Sequence, residues 1–360
     1  MLGFTFALTL LLAACAPGQT ESTVFDQVGE SAAPPTSDAP STTPTDELTG
    51  SSDETVVVYS GRSEELVGPL VEQFEEATGI DAEVRYGDTA EMAAQILTEG
   101  ENSPADVFFS QDAGALGALA KEGMLAPLPQ EILDTVDDRF TSPDGEWVGV
   151  SGRARVVAYN TESLSEEDLP DTIFGFTEPE WERRIGWAPT NGSFQAFVTA
   201  LRVLEGDERA REWLEGIQAN DPKVYEGNTP ALEAVAAGEV DVAFINHYYL
   251  FQQLAENPDF TAANHFLTGT DPGALVNVAG AGILQTAEHT DAARAFVEFL
   301  LSEEAQQYFA DETYEYPLIE GIAANEELPP LDEIETPEID LSDLSDLEGT
   351  LELMREAGVL

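Results

Sequence analysis

From Thr55 onward the chain alternates short β-rich apolar runs with amphipathic helical stretches, and this order constrains the fold more than any other feature. Thr55-Val56-Val57-Val58-Tyr59 reads as a buried strand. Ser63-Glu64-Glu65 follows as a helix start, with a capping serine and acids in the first turn. Leu66, Leu70, Phe74 and Ala77 then recur at helical spacing, and Gly79 closes the helix. Residues 80–86 and 105–109 read as further strands, and 89–100 and 113–123 as helices. That order predicts an α/β fold with a mainly parallel sheet covered on both faces. A second set comprises strands at 147–150, 155–159 and 184–187, helices at 193–204, 209–219 and 230–237, and a strand at 240–245. A strand at 275–284 and a helix at 292–301 return to the first set. The chain after Asn325 is acidic and sparse, with a terminal helix expected at 344–357.

Residues 1–14 form an apolar segment too short to span a membrane, and it resembles a secretory signal. It ends Leu12-Ala13-Ala14-Cys15, which matches the bacterial lipobox and makes Cys15 the expected lipidation site. No Lys or Arg precedes the apolar region, consistent with a start codon further upstream. Cys15 is the only cysteine, so a disulfide framework and a cysteine metal site are excluded. Residues 16–54 are rich in Ser, Thr, Pro and acids and read as a disordered tether. Signal and tether together place the folded part outside the cell, anchored by lipid to the membrane.

Net charge is -56, from 70 Asp plus Glu against 14 Lys plus Arg. Such a balance excludes nucleic acid as a partner, because repulsion replaces the attraction that counterion release provides. The apolar fraction is ordinary, so a globular protein with an acidic skin is expected. High salt, by screening, would relieve its self-repulsion, and an alkaline habitat is the other reading.

Asn246-His247-Tyr248-Tyr249 follows the apolar run that starts at Val240, so the tyrosine pair is expected where that strand leaves the sheet. In open α/β sheets the carboxyl edge is where ligands bind. Phenolate is a hard anionic donor suited to a highly charged cation, and a bound trivalent ion expels the phenol protons. Adjacent tyrosines are otherwise one core and one surface residue. His247 beside them is a common ligand type, whereas His265 and His289 lack metal-ligand spacing.

Several blocks, in this order, resemble the ferric-iron-binding components of bacterial ABC importers. They are Val58-Tyr59-Ser60-Gly61-Arg62, Ser103-Pro104-Ala105-Asp106-Val107-Phe108 and Ser151-Gly152-Arg153-Ala154-Arg155-Val156-Val157. Further along stand Arg184-Ile185-Gly186-Trp187-Ala188-Pro189-Thr190, Ile245-Asn246-His247-Tyr248-Tyr249 and Asp271-Pro272-Gly273-Ala274-Leu275. The resemblance implies a two-lobed periplasmic-binding-protein-like fold of type II, with ligand clamped between lobes joined by hinge strands. The expected division is 55–153 for the first lobe, 154–275 for the second, 276–322 returning to the first, and 323–360 as an acidic tail. It also implies that Tyr248 and Tyr249 bind ferric iron, and that Asn191, Gly192, Asn228 and Asn246 contact a synergistic anion. His247, immediately before the two tyrosines, matches a position that is not a ligand in the family.

The departures matter as well. Ser63 and Gln111 stand where the best-studied branch has a histidine and a glutamate, and Phe194 lies near a third tyrosine of some relatives. Two phenolates leave a ferric ion with residual positive charge and open octahedral positions. Carbonate or citrate, with water, is expected to fill them. Arg62 and Arg153, or Arg155, are the cations expected to hold that anion, since the planar fork of arginine fits a carboxylate or carbonate edge. Salt bridges to the abundant acids are the alternative for these arginines. The expected function is a monomeric, non-enzymatic receptor that delivers ferric iron to an ABC permease. The same scaffold binding an iron chelate, a phosphonate or a polyamine is the second class. No nucleophile elbow, phosphate loop or zinc-protease motif supports an enzyme.

Overall fold

A computed structural model describes residues 54–331 and 333–360. The expected signal segment, Cys15 and nearly all of the tether lie outside the described residues. The elements of the first set are β1 (Thr55–Ser60), α1 (Glu64–Thr78), β2 (Asp81–Tyr86), α2 (Thr89–Glu99), β3 (Val107–Ser110), α3 (Ala113–Lys121) and α4 (Gln130–Leu133). Then come β4 (Val148–Asn160), β5 (Ile185–Trp187), α5 (Gly192–Glu205), α6 (Asp207–Ala219), β6 (Lys223–Val224), α7 (Asn228–Ala236), β7 (Val242–Asn246), α8 (Tyr248–Glu256) and β8 (Ala262–His265). The last are β9 (Val276–Ile283), α9 (Thr290–Leu300), α10 (Glu303–Asp311), β10 (Tyr316–Pro317) and α11 (Leu347–Glu356).

The strands run in the order β2-β1-β3-β9-β4-β7-β5-β6, with β8 and β10 also paired to β4. β1 pairs in parallel with β2 and β3, and β5 with β6 and β7. The antiparallel pairs all involve β4 or β9. The reason is topological. β4 carries the chain from one half of the sheet into the other, and β9 brings it back in the opposite direction.

The two strands expected at 147–150 and 155–159 are one continuous strand. Its stretch from Val148 to Ala154 pairs with β9, and its stretch from Arg155 to Asn160 pairs with β7 and β8. Small and polar residues hid that continuity, because Ser151, Gly152 and Arg153 interrupt the apolar run just before the strand changes partners between Ala154 and Arg155. The crossing is fastened where the Arg155 N–H donates to Leu275 O at 2.8 Å.

α1 ends as expected on Gly79, whose φ of 73° is left-handed and whose N–H bonds Glu75 O. Ser63 occupies the N-cap position, but its side chain makes no capping bond. The buried face of α1 is Val67, Leu70, Val71 and Phe74, so Ala77 points outward.

The C-terminal stretch is well packed despite its acidity. Leu341 and Leu344 enter the core of the first half, while Leu353 and Met354 of α11 enter that of the second. Each such side chain contributes about 2 kcal/mol of burial. Backbone carbonyls of Leu344 and Ser342 approach Gly114 and Gly117 of α3 too closely for any Cβ there. Arg202 of α5 ties down the same stretch through Asp346 and Thr350.

Candidate metal and anion site

β7 ends at Asn246, and α8 starts two residues later, so Tyr248 and Tyr249 sit where the strand leaves the sheet, as expected, and there form the first turn of a helix that the sequence did not signal. The apolar run through Ile245 hid this, because the helix begins without a Gly, Pro or polar cluster to mark it. The placement suits an anionic donor, since the helix N-terminus carries partial positive charge. The two phenol rings stack with centroids 4.3 Å apart and planes 28° apart. Tyr248 is 3% exposed and Tyr249 half-buried. Burial holds the Tyr248 phenol well above its ordinary pKa, and Tyr249 and Glu315 add to this, while Arg153 and Arg62 oppose it.

His247 is fully buried and committed elsewhere. Its Nδ1 accepts the Ala154 N–H at 3.1 Å, so Nε2 carries the proton and donates to Tyr314 O at 2.9 Å. The ring also stacks on Tyr316. Both nitrogens are used in pinning the crossing of β4 to the 314–316 segment. Burial lowers its pKa to about 4, against opposing hydrogen bonds and the Glu315 charge. A pKa depressed in the folded state means that the unfolded chain takes up the proton first as pH falls. His247 therefore stabilises the fold fully above its unfolded pKa of about 6.5 and loses that contribution as pH falls toward 4. In denaturant titrations across this window, His247→Gln is expected to give a flatter stability profile than the parent; identical slopes would refute the assignment.

Around the start of α5, the structure brings four of the expected anion residues together. Asn191 caps the helix, its Oδ1 accepting from the Ser193 N–H at 3.0 Å and the Ser193 hydroxyl at 2.6 Å. Asn228 donates to Asn191 Oδ1 and Ser193 Oγ, each at 3.3 Å. Asn246 Oδ1 accepts from Arg155 Nη1 at 3.0 Å, and the same nitrogen lies 3.4 Å from Ser193 Oγ. Ser193 is thus the hub of the cluster. A serine in a helix start reads as part of a cap, so its sequence context gave no sign of this. Gly192 faces open space at the helix N-terminus, leaving its backbone accessible to a ligand. Phe194 is core, packed edge-on against Trp187.

The remaining expected cations lie on the first-half side. Arg62 is fully buried and bonded through Nη2 to both carboxylate oxygens of Glu315 at 2.9 Å. Ser151 donates to the same carboxylate at 2.8 Å. The salt-bridge alternative therefore holds for Arg62, although its Nε and Nη1 are buried without a partner among the described residues. Arg153 is 2% exposed, and its Nε and Nη2 are likewise buried and unpartnered. Glu315 had no signal in the sequence, being 253 residues from Arg62. Ser63 is exposed, and Gln111 half-buried. Among the described residues, no group of three or more His, Cys, Asp or Glu side chains is arranged to hold a metal ion.

Residues 102–339 match the family described as bacterial extracellular solute-binding protein. The chain is 35% identical over 308 residues to the major ferric iron-binding protein of Neisseria meningitidis serogroup B, covering 84% of this chain and 93% of that protein. Its structure is similar to iron-bound HitA from Pseudomonas aeruginosa, with a TM-score of 0.80 and 36% identity over 85% of this chain and 99% of that one. It is also similar to IdiA (FutA) of Trichodesmium in complex with iron and citrate, with a TM-score of 0.75 and 28% identity over 85% and 100% of the two chains.

Proposed function

The chain belongs to the bacterial extracellular solute-binding proteins, and on that premise we propose that it captures ferric iron with a synergistic anion and delivers it to an ABC permease. The observation that carries this reading is the stacked tyrosine pair in the first turn of α8, beside a cluster of amides, a hydroxyl and guanidiniums. Tyr248 and Tyr249 hold the ion as phenolates. Their high intrinsic proton affinity is overcome by the trivalent charge, as metals do for other acidic ligands. Asn191, Gly192, Asn228 and Asn246, with Ser193 and Arg155, form the wall that receives the anion. Arg153 faces it from the other side, and Arg62 contributes its two free nitrogens while keeping Glu315 in place.

The halves of the sheet act as lobes that close on the cargo about β4 and β9, since ligand contacts on both sides favour the closed form. The protein is a monomeric carrier without catalytic activity, tethered outside the cytoplasm by lipid at Cys15. Among the described residues, no helix is long and apolar enough to cross a membrane. Its charge of -56 keeps it from nucleic acid.

The test is spectroscopic. Purified protein loaded with ferric citrate should retain one iron after desalting and show a visible phenolate-to-iron charge-transfer band. Protein that stays colourless and iron-free, yet binds a phosphonate or a polyamine, would move the function to the second solute class.

A further inference from the structure

The segment from Leu341 to Glu356 is fastened to both halves of the molecule. Its first part is a single 3-10 turn, Leu341–Ser345, laid along α3. Leu341 and Leu344 join the apolar cluster that holds Leu116 and Leu119 of α3, and Lys121 at the end of α3 bonds Ser345. The fit is close, since a Cβ on Gly117 would stand 2.6 Å from Ser342 O. The second part, α11, sets Leu353 and Met354 among Phe197 and Leu201 of α5 and Trp213 of α6. Thr350 and Thr199 of α5, both buried, share a hydrogen bond of 2.8 Å. Arg202 of α5 donates to Thr350 and pairs with Asp346, while Arg211 of α6 pairs with Glu356. Ser345 ends the turn and Asp346 already caps α11, so the chain between the two anchors is taut. Both helices that it joins begin at the candidate site. The Ala113 N–H, at the start of α3, donates to Asn277, which faces Arg153 across the β4–β9 pairing. α5 begins at the Asn191–Ser193 cluster.

We propose that residues 341–356 form a strap that limits the separation of the two halves and so sets how slowly the cargo is released. β4 and β9 cross at the hinge itself, where a few residues absorb a rotation. The strap is a third crossing, tied to the flank of a helix in each half. Drawing α3 away from α5 pulls Ser342 and Leu344 off α3, or α11 off α5, because the taut junction at Ser345 and Asp346 has no length to give. The open form therefore carries the cost of a broken anchor, and the closed form does not. A ligand that bridges the halves then has a smaller difference between the two forms to supply. The release measurement rests on the iron reading above, whereas the strap itself is a property of the ligand-free protein as well.

Two variants of the full chain separate a strap from ordinary packing. In the first, Gly-Ser-Gly is inserted between Ser345 and Asp346, which lengthens the strap and leaves both anchors their contacts. Its melting temperature should stay near the parent's, because closure entropy grows only with the logarithm of loop length. In the second, Gly117→Ala forces Ser342 off α3 and frees one anchor. Each protein is loaded with ferric citrate, and release to a competing chelator is followed through the visible band. Solution scattering gives the radius of gyration without ligand. Each variant should release iron at least about fivefold faster than the parent, the scale of one lost buried hydrogen bond. The band itself should not move, since Tyr248 and Tyr249 are untouched. Without ligand, each variant should have a larger radius of gyration than the parent. The combined variant should release iron within about twofold of the faster single one, because two faults in one strap act in series, whereas independent packing losses add. An insertion variant with the parent's release rate and radius would overturn the proposal. So would a Gly117→Ala protein that loses stability yet holds iron as firmly as the parent. If none of the proteins shows a band, the iron reading falls, and the scattering comparison alone decides the strap.

Discussion

Tyr248→Phe and Tyr249→Phe are each expected to abolish or strongly shift the visible iron band and to weaken ferric binding by more than about a hundredfold. The magnitude follows from metal sites generally, where loss of a group that merely orients a ligand costs about 10–100-fold, so loss of a ligand oxygen costs more. The fold should survive both changes, because each ring keeps its packing and the phenol oxygens carry no hydrogen bond that another element depends on. Tyr248→Phe also removes the group whose proton affinity burial raises most at this site. The measurement is titration with ferric iron and a single anion, read by absorbance and by metal analysis after desalting, with circular dichroism as the control. A variant that keeps the parent's colour and affinity would remove that tyrosine from the ligand set.

Glu315→Gln is expected to be the most destabilising single change near the site. Arg62 and Glu315 are both fully buried, and among the described residues the carboxylate is the only counter-charge to which Arg62 is bonded. Removing one partner of a buried pair leaves a desolvated charge behind, at a cost of about 3–5 kcal/mol. Replacing both partners with apolar side chains removes the problem, so Arg62→Met/Glu315→Met should recover most of the loss. Equilibrium denaturation at fixed high salt measures this, because salt screens surface repulsion far more than a buried pair. A Glu315→Gln variant within about 1 kcal/mol of the parent would show that the pair is not the anchor described.

The sequence was enough for the βαβ order of each half, because burial of one helix stripe and of whole strands writes a period into the chain. The tyrosine pair was also legible, since its chemistry depends on residue type and adjacency alone. The resemblance to the ferric-binding family also singled out Asn191, Asn228 and Asn246, which the structure links through Ser193 and Arg155. These features are local, or lie in contiguous motifs, and one-dimensional reading captures them.

What the tertiary structure alone decided is which groups meet. β4 is a single strand only because β9 and β7 take up its hydrogen bonds in succession, and that pairing is invisible where Ser151 and Gly152 break the apolar run. His247 looked like a possible ligand until its two ring nitrogens were seen to be occupied by Ala154 and Tyr314. Arg62 was expected to face an anion, yet Glu315, brought from 253 residues away, takes one edge of its guanidinium. Arg153 and Arg155 belong to one motif, and only the structure buries both, setting Arg153 beside the charges of Glu315 and Asp112 and bonding Arg155 to Asn246 and Ser193. The physical reason is common to all four. Residue types and periodicities are fixed by the chain, whereas the pairing of a buried charge or of a strand edge depends on which distant segment arrives beside it.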